Sequence, residues 1–158
     1  MFDLFRSTPI TDPELGELRR SRGAWRGTVR LDGQPVPLVI AGPRKAPDPD
    51  ALRLARSVAG AYEGWKPAIA AAMLEHYTPY AEAVADGEEP APEGGLPPIA
   101  GPDGVWPHAG AEFVHVHPLE RRLTVEIGYR VAWDEEHTLG AQVRDGEVIG
   151  LNGSVLAP

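Results

Sequence analysis

Four of the five histidines, His108, His115, His117 and His137, lie within thirty residues of one another. On a strand, side chains two apart project from one face, so the H-x-H pair His115 and His117 presents two imidazoles together. The run Asp134, Glu135, Glu136 and His137, read as a loop, adds three carboxylates and a third imidazole. His115, His117, Asp134 and His137 therefore make a donor set that zinc, iron or manganese accepts. A metal there would lower the pKa of a bound water, and Glu135 or Glu136 could act as base, the chemistry of a metal-dependent hydrolase or isomerase. Against this, H-x-H is a short signal, and the spacing matches no complete metal motif. The pair could sit on the wet face of a strand whose Val114 and Val116 turn inward, although Phe113 on the histidine side implies some cover there. The acidic run equally reads as a solvated turn in which Asp134 accepts hydrogen bonds from nearby backbone N–H groups. Carboxylates this close repel, which raises their pKa values where the turn is not fully wet.

The elements that must position these groups are mostly strands. Leu123, Val125, Ile127, Tyr129 and Val131 alternate with Thr124, Glu126, Gly128 and Arg130, a period of two that separates an apolar from a polar face, and Trp133 continues the apolar row. A second strand carries Leu139, Ala141 and Val143 inward and Gln142 and Arg144 outward. Asp145-Gly146 is a favoured two-residue hairpin turn, because both positions take positive φ. A return strand covers 147–151, and Asn152-Gly153 marks a further turn. These three strands predict a C-terminal antiparallel meander, and a separate strand is expected at 112–117.

Towards the N-terminus, Phe2, Leu4 and Phe5 are apolar residues that either dock on the body or make a homodimer contact. Thr11-Asp12-Pro13 is turn chemistry. A short strand is expected at 17–22. A stronger one follows, with Trp25, Gly27, Val29 and Leu31 on one face and Arg26, Thr28 and Arg30 on the other. Asp32-Gly33 closes a second hairpin. Its return strand holds Val36, Leu38 and Ile40; Pro35 and Pro37 cannot donate to a ladder, so an edge position is expected. Arg19, Arg20, Arg22, Arg26 and Arg30 concentrate positive charge here. Their planar forks suit phosphate or carboxylate groups, and Arg26 and Arg30 are the contact candidates, although a solvated strand face explains them equally.

Asp48-Pro49-Asp50 is a helix start, with an Asp cap, Pro in the first turn and an acid at the positive dipole end. Leu52, Ala55, Ala59 and Tyr62 share one stripe, with Leu54, Val58, Ala61 and Trp65 beside it. Pro67 opens a second helix carrying Ile69, Met73, Tyr77, Tyr80 and Val84, which Pro79 should kink or end. These aromatics at helical spacing read as core. Ten of the eighteen residues at 87–104 are Pro or Gly. That predicts an exposed loop or insertion pinned at its middle by Leu96, Pro97, Pro98 and Ile99.

The string W-D-E-E-H-x-L-G at Trp133–Gly140, followed by a strand, D-G and a short strand ending in glycine, resembles the C-terminal signature of a group of uncharacterised bacterial domains of unknown function. Gly16-Glu17-Leu18 and Trp25-Arg26-Gly27 resemble their early pattern. The resemblance covers most of the chain loosely and implies an α+β domain. Some similar domains look like immunity or accessory proteins of toxin loci, and none brings catalytic residues to carry over. The Pro/Gly-rich stretch departs from their compact pattern.

The totals bound the function. The 158 residues fit one domain spanning 1–158. A formal charge of −8 argues against nucleic-acid partners and favours a protein partner with a basic surface. The absence of cysteine excludes disulfides and thiolate catalysis and fits a cytoplasmic home. No apolar run approaches a membrane span, the N-terminus lacks signal-peptide features, and the Ala/Arg/Gly/Pro bias suggests a GC-rich bacterial genome. No nucleotide or nucleophile-elbow motif occurs. The expectation is a two-layer α+β fold: an antiparallel sheet, built from an N-terminal hairpin and a C-terminal meander, packed on one face by central helices. The functional expectation is a non-enzymatic, immunity-like binding protein without cofactor. Its contact candidates are Trp133, Asp134, Glu135, Glu136, His137, Arg26 and Arg30. The alternative is the divalent-metal enzyme described above.

Overall fold

The structure, a computed structural model, describes residues 7–158. The homodimer expectation resting on Phe2, Leu4 and Phe5 lies outside the described residues. Eight strands form one sheet in chain order: β1 (Ile10–Asp12), β2 (Gly16–Ser21), β3 (Ala24–Leu31), β4 (Gln34–Ile40), β5 (Ala109–Leu119), β6 (Arg122–Val131), β7 (Asp134–Arg144) and β8 (Glu147–Val155). Between β4 and β5 run one long helix, α1 (Pro49–Ala85), and a 3-10 helix, Pro102–His108. The fold is thus mixed α+β. Among the described residues no helix is long and apolar enough to cross a membrane.

The sheet is antiparallel except at one seam. Strand β4 pairs parallel to β5, with Leu38 opposite Val114, Val39 opposite His115 and Ile40 opposite Val116. This corrects the expectation of an edge strand. The prolines act as foreseen only over the first half of β4, where Pro35 and Pro37 pair with β3 alone. The parallel ladder begins at Leu38, the first residue past the last proline. Both Asp-Gly hairpins form as expected, with Asp32, Gly33, Asp145 and Gly146 all at positive φ. Strand β8 is longer than expected: it runs on through Asn152 and Gly153 to Val155, with register shifts absorbing the irregularity. Asp12 ends β1 and makes the anticipated turn, its carboxylate accepting from the Glu14 and Leu15 N–H groups.

One helix stands where two were expected. Asp48 caps it, accepting from the Ala51 N–H at 2.9 Å. Val58, Tyr62, Trp65, Ile69, Met73 and Tyr77, three or four apart, form one buried stripe that continues past Pro67. Pro67 and Pro79 both lie on the exposed face, where water can satisfy the carbonyls that the missing N–H groups would have met. Burial of the stripe therefore outweighs the local proline penalty. The stripe joins Trp25, Leu38, Ile40, Val114, Val116, Ile127 and Leu139 of the sheet in one core. Inside that core the Tyr62 and Tyr129 hydroxyls satisfy each other at 2.8 Å.

The Pro/Gly-rich stretch is pinned as anticipated. The Tyr77 hydroxyl donates to the Pro97 carbonyl at 2.6 Å, and Leu96 and Ile99 pack on the core. On the sheet face away from this core, Phe113 is buried over Gly128, where an added Cβ would meet its ring at 2.3 Å. Gly128→Ala should therefore cost about 1–3 kcal/mol in urea unfolding, and Phe113→Leu in that background should recover part of the loss. An unchanged unfolding midpoint for Gly128→Ala would contradict this packing.

Candidate functional site

The sequence-derived donor set divides into two groups. Alternation along β5 sends Val114 and Val116 into the core and leaves Phe113, His115 and His117 on the other face. The ladder then sets Arg26, Val39, His115, Glu126 and Gln142 side by side across β3 to β7. His115 and His117 stack with ring centroids 3.6 Å apart and planes 6° apart. Glu126, only 6% exposed, sends one oxygen to the Gln142 amide, which donates at 3.0 Å. Its other oxygen lies 3.9 Å from His117 Nε2. That nitrogen is buried and has no hydrogen-bond partner among the described residues. One ligand atom from each of His115, His117 and Glu126 lies within 4.8 Å of the other two. Burial pushes both imidazoles below the ordinary histidine value. For His115, the neighbouring His117 and Arg26 add to this, holding it at about 4. Both rings are thus neutral at physiological pH.

Asp134 and His137 are elsewhere. The expected loop at 134–137 is the first part of β7, entered through a two-residue turn at Ala132 and Trp133. Asp134 pairs with Val131, which pairs with Ala109 at the far end of β5 from the histidines. Six residue steps along the strand separate Ala109 from His115, about 20 Å at about 3.4 Å per step. Asp134 also faces the helix, on the side of the sheet opposite His115. It is 6% exposed and fully engaged. Tyr80 of α1 donates its hydroxyl at 2.8 Å, the backbone N–H groups of Glu136 and His137 donate at 3.2 Å, and His137 Nδ1 lies 3.0 Å from each oxygen. Burial raises this carboxyl's pKa, but the Tyr80 and His137 hydrogen bonds outweigh it, and the net shift is downward. Tyr80 is pushed up to about 12 by its own burial and by the carboxylate it serves. Beside it, Trp133, 1% exposed, donates its indole N–H to His76 Nδ1 at 3.1 Å.

Around this turn lie two open pockets. One, of about 540 Å³, is bounded by the end of α1, the Pro-rich stretch and 133–137; the other, of about 940 Å³, lies between His108 and 135–138. Glu135, Glu136 and His137 are exposed and line both. The remaining candidates, Arg26 and Arg30, direct donors to backbone oxygens: Arg26 to Ser21 and Pro158, Arg30 to Gly33.

Sequence reasoning missed Glu126, Gln142, Tyr80 and His76. Glu126 and Gln142 were visible as outward residues of alternating strands, but only the strand register sets them beside His115. Tyr80 was assigned to the core stripe, and nothing in the local sequence reports its reach to Asp134.

A family model, Domain of unknown function (DUF6985), matches residues 14–154. The chain belongs to this family. The match takes in both stretches that carried the resemblance, Gly16–Gly27 and Trp133–Gly140. No curated protein and no solved structure matches the chain.

The Asp134 network fixes the turn of this DUF6985 domain, and its loss should be pH-dependent. A carboxyl whose folded pKa lies below its unfolded value of about 3.9 stabilises the fold above that pH and loses this contribution as pH falls through the folded value. Asp134→Asn should cost about 1–3 kcal/mol at pH 7, and the gap to wild type should narrow steadily below about pH 4. Urea unfolding across pH 2.5–7 checks this; a gap that does not change with pH would contradict it.

Proposed function

We propose that this DUF6985 domain is a non-enzymatic binding domain whose pocket beside the β6–β7 turn takes a basic segment of a protein partner. One observation carries the reading. Glu89, Glu93, Glu135 and Glu136 rim the 540 Å³ pocket around Val84 and Leu96, and among the described residues no Lys or Arg lines it. An acidic rim on an apolar floor suits a segment that alternates Arg or Lys with aliphatic side chains. Charge complementarity of this kind steers association and selects partners. The net charge of −8 extends the same field over the surface.

Preorganisation supports the reading too. The carboxylate of Asp134 and the indole of Trp133 are locked by Tyr80 and His76, so the exposed Glu135 and Glu136 project from a strand start held in place. A rigid display limits the entropy lost on binding. The immunity-like or accessory role implied by the resemblance asks for the same chemistry, an acidic surface set against a basic one. The alternative metal-dependent hydrolase or isomerase needs His115, His117, Asp134 and His137 around one ion. Their placement on opposite faces, about 20 Å apart along the strands, favours the binding reading.

The test is fluorescence anisotropy of a labelled peptide alternating Arg and Leu, against the same peptide with Glu in place of Arg. The Arg peptide should bind and the Glu peptide should not. Glu135→Lys with Glu136→Lys should weaken binding at least about tenfold, or about 1.4 kcal/mol. Affinity should also fall with salt as the screening length contracts from about 10 Å at 0.1 M to about 3 Å at 1 M. Equal binding of both peptides, or indifference to the charge reversal, would overturn the reading.

A further inference from the structure

We infer that His115, His117 and Glu126 form a binding site for one divalent first-row transition-metal ion, zinc being the best fit, on the sheet face away from the helix. The site is independent of the acidic pocket and does not rest on the function proposed for it.

The donor types come first. Two imidazoles and one carboxylate are a set that zinc accepts in three-ligand sites, leaving a further position for water or another donor. The geometry comes next. Around an ion with bonds of about 2.0–2.2 Å, tetrahedral ligand atoms stand about 3.4 Å apart. The three candidate atoms already lie within 4.8 Å of one another, and the His117–Glu126 pair is at 3.9 Å. Closing the remainder takes up to about 1.4 Å, with the two stacked rings tilting so that their in-plane lone pairs converge on the ion. The partners are placed by backbone, since the parallel β4–β5 seam and the β5–β6 ladder hold His115 between Val39 and Glu126.

The pattern of satisfied and unsatisfied atoms points the same way. His117 Nε2 is buried without a hydrogen-bond partner among the described residues. At 3.9 Å, Glu126 is beyond hydrogen-bond range of it. A buried orphan of this kind carries a desolvation cost, which a shared cation would relieve. Glu126 meanwhile gives one oxygen to Gln142 and keeps the other towards the histidines. A ligating carboxylate oriented by a hydrogen bond from behind is the usual support for a metal centre. Burial keeps both imidazoles neutral, so their lone pairs are available at physiological pH. Of the cations on this face, Arg26 is drawn aside by the Ser21 and Pro158 carbonyl oxygens, and Arg144 by the Thr124 hydroxyl and the Leu119 carbonyl oxygen.

The test is calorimetric titration of the untagged full chain with Zn(II) at neutral pH, after removal of metal by a chelator. One equivalent should bind. His117→Gln and Glu126→Gln should each weaken binding more than about tenfold, Gln142→Ala about ten- to a hundredfold, and His137→Ala should leave it unchanged. Glu126→Gln is nearly isosteric and keeps an acceptor for Gln142, so it decides the matter if His117→Gln does not fold. Absence of Zn(II) uptake by the wild-type chain would overturn the inference. So would uptake that survives Glu126→Gln intact, or uptake that His137→Ala abolishes.

Discussion

Everything about the placement of functional groups in this chain depends on the parallel pairing of β4 with β5. Parallel neighbours cannot be joined by a tight turn, so the chain must leave the sheet and return from the other end. The long helix, the Pro-rich stretch and the 3-10 helix are that return path. The seam joins an N-terminal run of four antiparallel strands to a C-terminal run of four. It also makes β5 an interior strand. Without it His115 and His117 would stand on a sheet margin in water; with it, Val39 flanks one side and Glu126 the other. Half-burial of two histidines, and the unsatisfied nitrogen that follows, are consequences of this one connection.

The crossover does a second job. A 37-residue helix is about 55 Å long at 1.5 Å per residue, so its two ends reach different parts of the sheet. Near its start, Arg56 pairs with the buried Asp12 at the β1 end. Towards its end, His76 and Tyr80 reach Trp133 and Asp134 at the β6–β7 turn. Tyr77 meanwhile tethers the loop that follows. The acidic start of β7 is therefore held by the helix as well as by its own backbone. A buried carboxylate with so many donors is stable only when all of them are present, which makes the turn rigid as well as charged.

What could be read in the sequence was what is local. Period-two alternation located the strands of both halves, and Asp32-Gly33 and Asp145-Gly146 marked their hairpins because the turn demands those backbone angles. Two further tight turns escaped notice. Glu120 and Arg121 adopt positive φ without a glycine, and Arg22, which turns with Gly23, was read as the end of a strand. Their geometry is imposed by the long strands they join. Pro67 misled in the other direction, since local chemistry argues for a break and the continuous buried stripe overrides it. Asp134 was correctly seen as an acceptor of backbone N–H groups, but its run was taken for a loop because three acids in a row carry no strand preference. The metal set was half legible. H-x-H was visible as a same-face pair, whereas Glu126 and Gln142 join it only through register between strands, and no spacing along the chain encodes that.

The central claim is that the sheet separates two chemistries, a neutral histidine–carboxylate cluster on one face and a rigid acidic turn on the other. NMR of the imidazole resonances measures this most directly, with Zn(II) added first and an Arg-rich peptide second. Zinc should shift His115 and His117 and leave His137 in place, and the peptide should do the reverse. Zinc that moves His137 together with His115, or one ligand that perturbs all three rings alike, would contradict the separation.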